Sequence, residues 1–494
     1  MCLIHTLNFQ YSNSSNVPRY DRLQDTFTTG ANRGLLRFAD WYYGPQQRLL
    51  TAYELSAQKI GFFDELKVNI NYQDIKESRQ QRDYKRYDRF DSRIEKLKVF
   101  GATISARKLM TQHEVVAGVD MQLNDVTSKA TRTNLLTNAV VPLDTRYPDG
   151  KNSMNYIGVF AQHIYKFKDT RFVLNDGIRL QYVQLKSNVV NNSFFNLPIT
   201  NITQNNVAVT GNLGLVFNAT KSTTIRTALS TAFRAPNIDD LAKIFESSST
   251  ARQVVIPNAN LKPEYTYNAE LSIAQQFNGV LKIEATGFYT YFDNGIIKAP
   301  FQLNGQDSIV YNGVKSQVLA SQNSNNAYIY GATFNLQATI NNHLNAYAGV
   351  SFTKGRFKID ETKQTTIYEK QSNGTYALVK RNVATKPLDH IPPTFGKAGV
   401  QFENKLLNTD LFVLFNGWKR LDQYNPDGED NAVYATKDGS PAWFTLNLKN
   451  TITINKYLQA TISVENIFDR NYRYFASGFS AAGRNFQLGV RAQF

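Results

Sequence analysis

The chain is poor in several features that usually organise a protein of its length. It has one cysteine, Cys2, among 494 residues, which excludes a disulfide framework or a cysteine-based metal site within one chain. Cys2 follows Met1 with no apolar segment before it, so it does not read as a lipoprotein cleavage site. No secretory leader is legible in the opening residues. No apolar run reaches the roughly 18 residues of a transmembrane helix, and no long amphipathic helix is evident. That leaves open a membrane crossed by strands, which need only about ten alternating residues each. Tryptophan is scarce, 3 against 27 Tyr and 32 Phe. The net charge is +15, but the basic residues are dispersed, with neither a helical basic stripe nor a nucleic-acid motif, so nucleic acid is not an expected partner. A solvated basic surface is one reading of this charge, and affinity for an anionic lipid surface is the other. The densest charged run, Lys76 to Lys98, alternates in sign (Glu77, Arg79, Arg82, Asp83, Lys85, Arg86, Asp88, Arg89, Asp91, Arg93) and reads as a solvated loop or strand extension. The five histidines (His5, His113, His163, His343, His390) are scattered without zinc spacing, so no metal or other cofactor is expected.

What the sequence has in quantity is two-residue alternation. Phe486, Leu488, Val490, Ala492 and Phe494 alternate with Asn485, Gln487, Gly489, Arg491 and Gln493. Side chains alternate faces along a strand, so this segment has one oily and one polar face. The pattern recurs at Leu458–Glu465, at Phe444–Lys449, from Ala332 to Ile340, from Leu344 to Phe352 and from Val115 to Leu123. We count about 18 such segments, with boundaries uncertain by a few residues. The spacers alternate short and long almost without exception. Short ones (residues 167–170, 219–222, 277–279, 341–343, 454–456) alternate with long ones (12–47, 124–155, 234–264, 293–327, 355–393, 419–441). Outer-membrane barrels have short periplasmic turns and long external loops, whereas a soluble sandwich has no reason to sort its loops. In lipid every backbone donor and acceptor must pair internally, which favours closure. The reading is all-β: a transmembrane antiparallel up-and-down barrel in the outer membrane, spanning residues 1–494 and a monomer. Tyr72, Tyr289, Tyr291, Tyr328, Tyr330, Trp418 and Trp443 are expected in its interfacial girdles.

Three segments resemble TonB-dependent outer-membrane receptors. Thr231-Ala232-Phe233-Arg234-Ala235-Pro236-Asn237 with Asn260-Leu261-Lys262-Pro263-Glu264 resembles the family's "FRAP" and "NLKPE" elements, which flank an external loop. Val464-Glu465-Asn466-Ile467-Phe468-Asp469-Arg470-Asn471-Tyr472 resembles the element on its penultimate strand. Arg484-Asn485-Phe486 leading to Phe494 resembles its C-terminal end, whose terminal aromatic is the signal read by the barrel-assembly machinery. The resemblance implies energised import of a scarce, bulky nutrient that is siderophore-, haem- or glycan-like. It also implies a plug domain and a TonB-contacting segment, neither of which is found. Such barrels have about 22 strands, whereas 18 is a porin-like number. The expectation is therefore a chain lacking its signal peptide, its plug and about four strands.

Individual residues follow from this frame. Pro236 cannot donate to a ladder and should end its strand at the outer rim. Arg234 shares parity with Arg226 and Ser230 and faces the lumen, toward a plug carboxylate, an anionic ligand or a barrel neighbour such as Glu270. Asn466 and Asp469 shape the strand's exit from the membrane, with Phe468 between them. Trp41-Tyr42-Tyr43-Gly44-Pro45 is the best candidate for external ligand contact, with Arg19, Tyr20 and Arg22 weaker ones of the same kind. Those rings equally suit packing of the loop. The span 237–261 holds no His and Ala259 replaces a proline of the haem-importing pattern, which disfavours haem. Two other functions are open: passive diffusion through an 18-stranded pore constricted by residues 355–393, and an outer-membrane enzyme, for which no catalytic motif is found. Outer-membrane lipid and lipopolysaccharide are expected neighbours.

Overall fold

Alternation becomes strand, and strand becomes one continuous sheet. The computed structural model describes residues 2–27, 30–194, 196–197, 200–241, 245–248, 253–311, 314–428 and 435–493. Phe494, the expected assembly signal, lies outside them. Eighteen long strands follow one another: β1 (Cys2–Asn13), β2 (Gln47–Ile60), β3 (Phe63–Asp83), β4 (Phe90–Leu109), β5 (His113–Thr133), β6 (Asn152–Lys166), β7 (Phe172–Asn188), β8 (Asn201–Asn218), β9 (Thr223–Arg234), β10 (Glu264–Phe277), β11 (Leu281–Pro300), β12 (Val314–Asn341), β13 (Leu344–Lys358), β14 (Phe395–Glu403), β15 (Leu407–Asn416), β16 (Trp443–Asn455), β17 (Leu458–Glu465) and β18 (Asn485–Ala492). Each pairs antiparallel with the next.

The connections sort by rim. Residues 61–62, 110–112, 167–171, 219–222, 278–280, 342–343, 404–406 and 456–457 make the short turns at one end. Between β10 and β11, Asn278 and Gly279 both take positive φ, 46° and 72°, the geometry that matches strand twist in a tight hairpin. The other rim carries the long loops. Several are shorter than the sequence suggests, because strands run on past the membrane. The charged run 76–98 is the outer part of β3 and β4 with a turn at 84–89, and much of 293–327 is β11 and β12. The charged alternation of 76–98 has no apolar face to mark it as strand, so pattern alone left a loop and a strand extension both open there, and it took 293–327 as a loop.

The two faces of the sheet are inverted relative to a soluble protein. Ile104, Val119, Val159, Leu180 and Val209 stand abreast on β4 to β8, each 47–59 % exposed. A row of bare aliphatic side chains this long would be an aggregation liability in water and is what hydrocarbon requires. On the opposite face, Asp120 of β5 accepts two hydrogen bonds from Arg179 of β7, at 2.6 and 2.8 Å. The guanidinium crosses β6 directly over Gly158, where any Cβ would collide with it. Leu180→Arg, on the lipid face, is expected to cost about 2–4 kcal/mol in a vesicle refolding equilibrium, and Gln162→Arg, in the lumen, under about 1 kcal/mol. Equal costs would contradict this assignment of faces.

The buried apolar clusters lie in the outer rim rather than inside the sheet. Leu197, Val254, Ile256, Leu303, Tyr311, Val318 and Ala320 form one, and Leu185, Ile202, Leu241 and Leu261 the other. The loops thus carry their own cores and brace one another. The first and last loops also meet, since a Cβ at Gly478 would lie 2.9 Å from Cβ of Asp21. Tyr289 and Tyr330 stand opposite each other on the outer face, as do Tyr291 and Tyr328, and Tyr72 lies on the same face, as a girdle requires. Trp443 does not join them. Its parity puts it in the lumen, buried against Tyr472 and Tyr474 with ring centroids 4.4 and 5.1 Å away. Trp418 belongs to a loop, under the Arg420 guanidinium at 3.9 Å.

Candidate functional site

The "FRAP" and "NLKPE" elements are two halves of one clip. Pairing of β9 with β10 sets Arg234 opposite Glu264. Arg234 is luminal, as its parity requires, and β9 ends there, one residue before the buried Ala235–Pro236 pair. Its Nη1 donates to Asp240 at 2.7 Å and its Nε to Glu264 at 3.4 Å. The second Glu264 oxygen accepts the backbone N–H of Ile296 at 2.7 Å. Phe233 packs on Tyr265, centroids 5.2 Å apart, and Leu261 is buried with Leu241. The expected partner Glu270 is elsewhere: it faces Ala228, six residues deeper along β9. Arg234 already serves two carboxylates of its own loop. Arg234→Ala is expected to cost about 1–2 kcal/mol and to open residues 235–263 to external protease on whole cells. Arg234→Lys should not rescue it, because one ammonium cannot bridge both carboxylates as the fork does. Unchanged cleavage in the Ala variant would overturn this reading.

The aromatic loop is packed rather than splayed. Residues Phe38–Tyr43 form a short strand against the outer part of β3. Arg19 lies between rings, 4.9 Å from the Trp41 centroid and 5.1 Å from that of Tyr43, and it donates to the Tyr43 hydroxyl. Its Nε and Nη2 reach Asp21 at 2.8 and 2.5 Å. This hydrogen bonding holds the Asp21 carboxyl below its ordinary range. Trp41, Tyr43 and Arg19 are therefore one unit. Tyr42 points to the opposite face of the strand, where burial raises its hydroxyl pKa. Arg22 pairs with Asp25 at 3.6 Å. Tyr20 alone of the six is broadly exposed.

The penultimate-strand element closes the last loop. Asn466 is buried with a φ of 51°. Its Oδ1 accepts the Arg470 N–H at 3.0 Å, and its Nδ2 donates to the Arg470 carbonyl at 2.8 Å. Its own N–H goes to Asn447 Oδ1 at 2.9 Å. Asp469, also at positive φ, accepts the Arg484 N–H at 2.8 Å. Phe468 remains exposed and edge-on to Phe444, and Arg470 lies 4.8 Å over the same Phe444 ring. Asn466 and Asp469 thus hold the backbone where β17 leaves the sheet.

A further site carries no motif. On the long-loop side a cleft of about 780 Å³ opens between β11, β12, β13 and the loops 359–394 and 417–442. It is lined by Lys298, Lys358, Lys363 and Lys386 against Asp360 and Asp427. Lys386 is almost wholly buried and paired with Asp427 at 2.6 Å. Segment 355–393, expected as a constriction, instead builds a hairpin (Thr365–Lys370 with Tyr376–Arg381) docked on residues 421–423. Nearby, Lys419 Nζ donates to the Ile391 carbonyl at 2.7 Å and sits 4.1 Å over the Phe475 ring. It ties three loops together. On the far side, burial and then the Asp239 charge push the Tyr147 hydroxyl up to about 12. No sequence signal joins these residues, because the cleft forms only once four distant segments meet.

A lipid-facing antiparallel sheet with ion-paired lumen and interlocked external loops defines an outer-membrane β-barrel protein. The chain belongs to the TonB dependent receptor-like β-barrel family, whose model matches residues 3–467. It is 22% identical over 283 residues to the iron-regulated outer membrane virulence protein of Vibrio cholerae serotype O1. That match covers 56% of this chain and 38% of the relative, so the chain spans well under half of the curated protein it matches. Among solved structures it is similar to the copper transporter OprC, with TM-score 0.71, 16% identity, 93% of this chain and 67% of that one covered. It is also similar to the FrpB iron transporter from Neisseria meningitidis, with TM-score 0.63, 13% identity and coverage of 100% and 70%. A third likeness is to the Serratia marcescens hemophore receptor HasR, with TM-score 0.64, 14% identity and coverage of 92% and 66%. At these identities the likeness is one of fold.

Proposed function

We propose that this barrel is the channel part of a TonB-energised importer of a scarce, bulky nutrient, and that its ligand is an anionic metal chelate of the siderophore kind. The observation that carries the reading is the lysine-lined cleft beneath the external loops of a barrel of this family. With the buried Lys386–Asp427 pair set aside, Lys298, Lys358 and Lys363 against Asp360 suit an anion, and the iron, copper and hemophore proteins named above are metal-related relatives in fold. A haem- or glycan-like ligand is the weaker form, since residues 237–261 hold no histidine and the Trp41–Tyr43 rings are occupied by Arg19. Tyr20 and Arg22 remain the loop residues best placed to meet a ligand, with Trp41, Tyr42 and Tyr43 supporting them. An enzymatic role has no catalytic motif to rest on.

The work of the cycle needs parts beyond these residues. β1 and β18 each pair on one side only among the described residues, and lipid does not tolerate open edges. About four further strands closing that seam, and a plug pulled by TonB, complete the proposed receptor. Assembly through Phe494 and a monomeric state belong to the same proposal. The test is growth under metal limitation on a panel of chelates. The account expects one anionic chelate to rescue growth only when both this gene and tonB are intact. Rescue independent of tonB would favour a passive pore instead.

A further inference from the structure

Fifty positions separate His113 from His163, so spacing gives no sign that they meet, yet the ladder register brings them together. His113 is the first residue of β5, directly after the turn 110–112, and stands opposite Tyr165 of β6. His163 stands opposite Val115 on one side and Asp176 of β7 on the other. The three share the parity of Val119, Val159 and Leu180, so they lie on the outer face of the sheet, near the short-turn rim. His163 and Asp176 interrupt a row that is apolar at its neighbours, Val115 and Leu213. His113 Nδ1 and His163 Nε2 are 2.9 Å apart. Behind them, His163 Nδ1 lies 3.0 Å from Asp176 Oδ1. Tyr165 stacks on the His113 ring, with centroids 4.6 Å apart and planes at 22°. An ionised carboxylate only accepts, so the His163 proton sits on Nδ1, and in the neutral ring Nε2 presents its lone pair to His113.

We propose that His113 and His163 form a two-imidazole clip for one divalent transition-metal ion, with Asp176 as its positioning carboxylate. The space between the two nitrogens takes a single cation. It is the proton of an N–H···N bond in the metal-free pair, or a metal ion that displaces this proton to solvent. Two nitrogens each about 2.0–2.1 Å from one ion stand about 3 Å apart when their bonds are at right angles, which is close to the separation already present. Imidazole nitrogens suit copper(II), nickel(II) and zinc(II), with copper the tightest. A ligand histidine commonly gives its other N–H to a carboxylate, which fixes the tautomer and raises the basicity of the coordinating nitrogen. Asp176 stands in that place. Among the described residues no third His, Cys, Asp or Glu completes a protein cage, so water supplies the remaining ligands and the ion exchanges with solution. The ion ties β5 to β6 on the outer wall, apart from the lumen and from the lysine-lined cleft, so the proposal does not depend on the identity of the imported ligand.

The experiment is a copper(II) titration of the tag-free protein purified in mild detergent, in a Cys2→Ser background that removes the competing thiol. Calorimetry reads the affinity, and the electron-paramagnetic-resonance spectrum of the bound copper reads its ligands. The expected result is one ion per chain with two nitrogen ligands. H113A and H163A should each weaken binding by about a hundredfold or more, because a second ligand on the same ladder acts at high effective concentration. D176N should weaken it by about tenfold or more while both nitrogens stay in the spectrum. H5A/H343A/H390A, which removes the other three histidines, should bind as the parent does. Heat-modifiable mobility on a gel verifies that each variant is folded. Undiminished binding by folded H163A would overturn the proposal, as would a single-nitrogen spectrum in the parent or an equal loss in the three-histidine control.

Discussion

Asp427→Ala should destabilise the outer loops by about 3–5 kcal/mol, because it leaves the Lys386 ammonium buried without its counter-charge. Lys386 has 3% of its side chain exposed and holds Asp427 at 2.6 Å; its other polar neighbour is Thr365 Oγ1 at 3.4 Å. It sits on the short strand Thr385–Pro387, which pairs with the outer end of β13. Its displacement therefore loosens loop 359–394 and the floor of the cleft together. The double variant Lys386→Met/Asp427→Leu should lose far less, since paired apolar groups replace a buried ion pair at little cost. Protease sensitivity of loops 359–394 and 417–442 on whole cells, with a denaturant series on the purified protein, reads both effects. A single variant within about 1 kcal/mol of wild type would mean that Lys386 is not buried as described.

Asn466→Ala should cost about 2–4 kcal/mol, combining two lost side-chain bonds to Arg470 with a backbone conformation that alanine resists. Asn466 is 2% exposed with a φ of 51°. Asn466→Gly keeps the backbone free and should be milder than Ala by about 1 kcal/mol. That ordering separates turn geometry from hydrogen bonding, and the reverse order would refute the assigned role. The readout is the refolding equilibrium in vesicles together with the amount of receptor reaching the outer membrane. A ligand-contact role for Asn466 would instead leave stability intact and reduce binding alone.

The fold was legible because lipid imposes a simple code. Alternation such as that at Leu458–Glu465 or Val115–Leu123 marks a strand with one apolar face; its many repeats point to hydrocarbon, and the sorted spacers give the sidedness. The meaning of Arg234 was half legible. Parity places it in the lumen, but its partners Asp240 and Glu264 come from the loop and from the ladder register, which spacing does not specify. Glu270 shares the luminal parity and is wrong by six positions. Trp443 was misread for a related reason: enrichment of aromatics at the interface is statistical, while the alternation of Phe444 and Leu446 fixes its face. The Lys298–Lys386–Asp427 cleft was not legible at all. Its residues come from β11, the short strand Thr385–Pro387 and the loop that holds Asp427, and nothing local distinguishes them from solvated charge.

The most direct test of the account is a cysteine scan along β8, residues 205–213, in a chain with Cys2→Ser. Each single cysteine is labelled in intact outer membranes with a membrane-impermeant maleimide and, separately, with a lipid-soluble quencher probe. The account predicts a two-residue period, with 207, 209 and 213 open to the lipid probe and shielded from the aqueous one, and with 206, 210 and 212 the reverse. Uniform aqueous labelling across the segment would contradict the membrane barrel and, with it, every functional conclusion drawn from it.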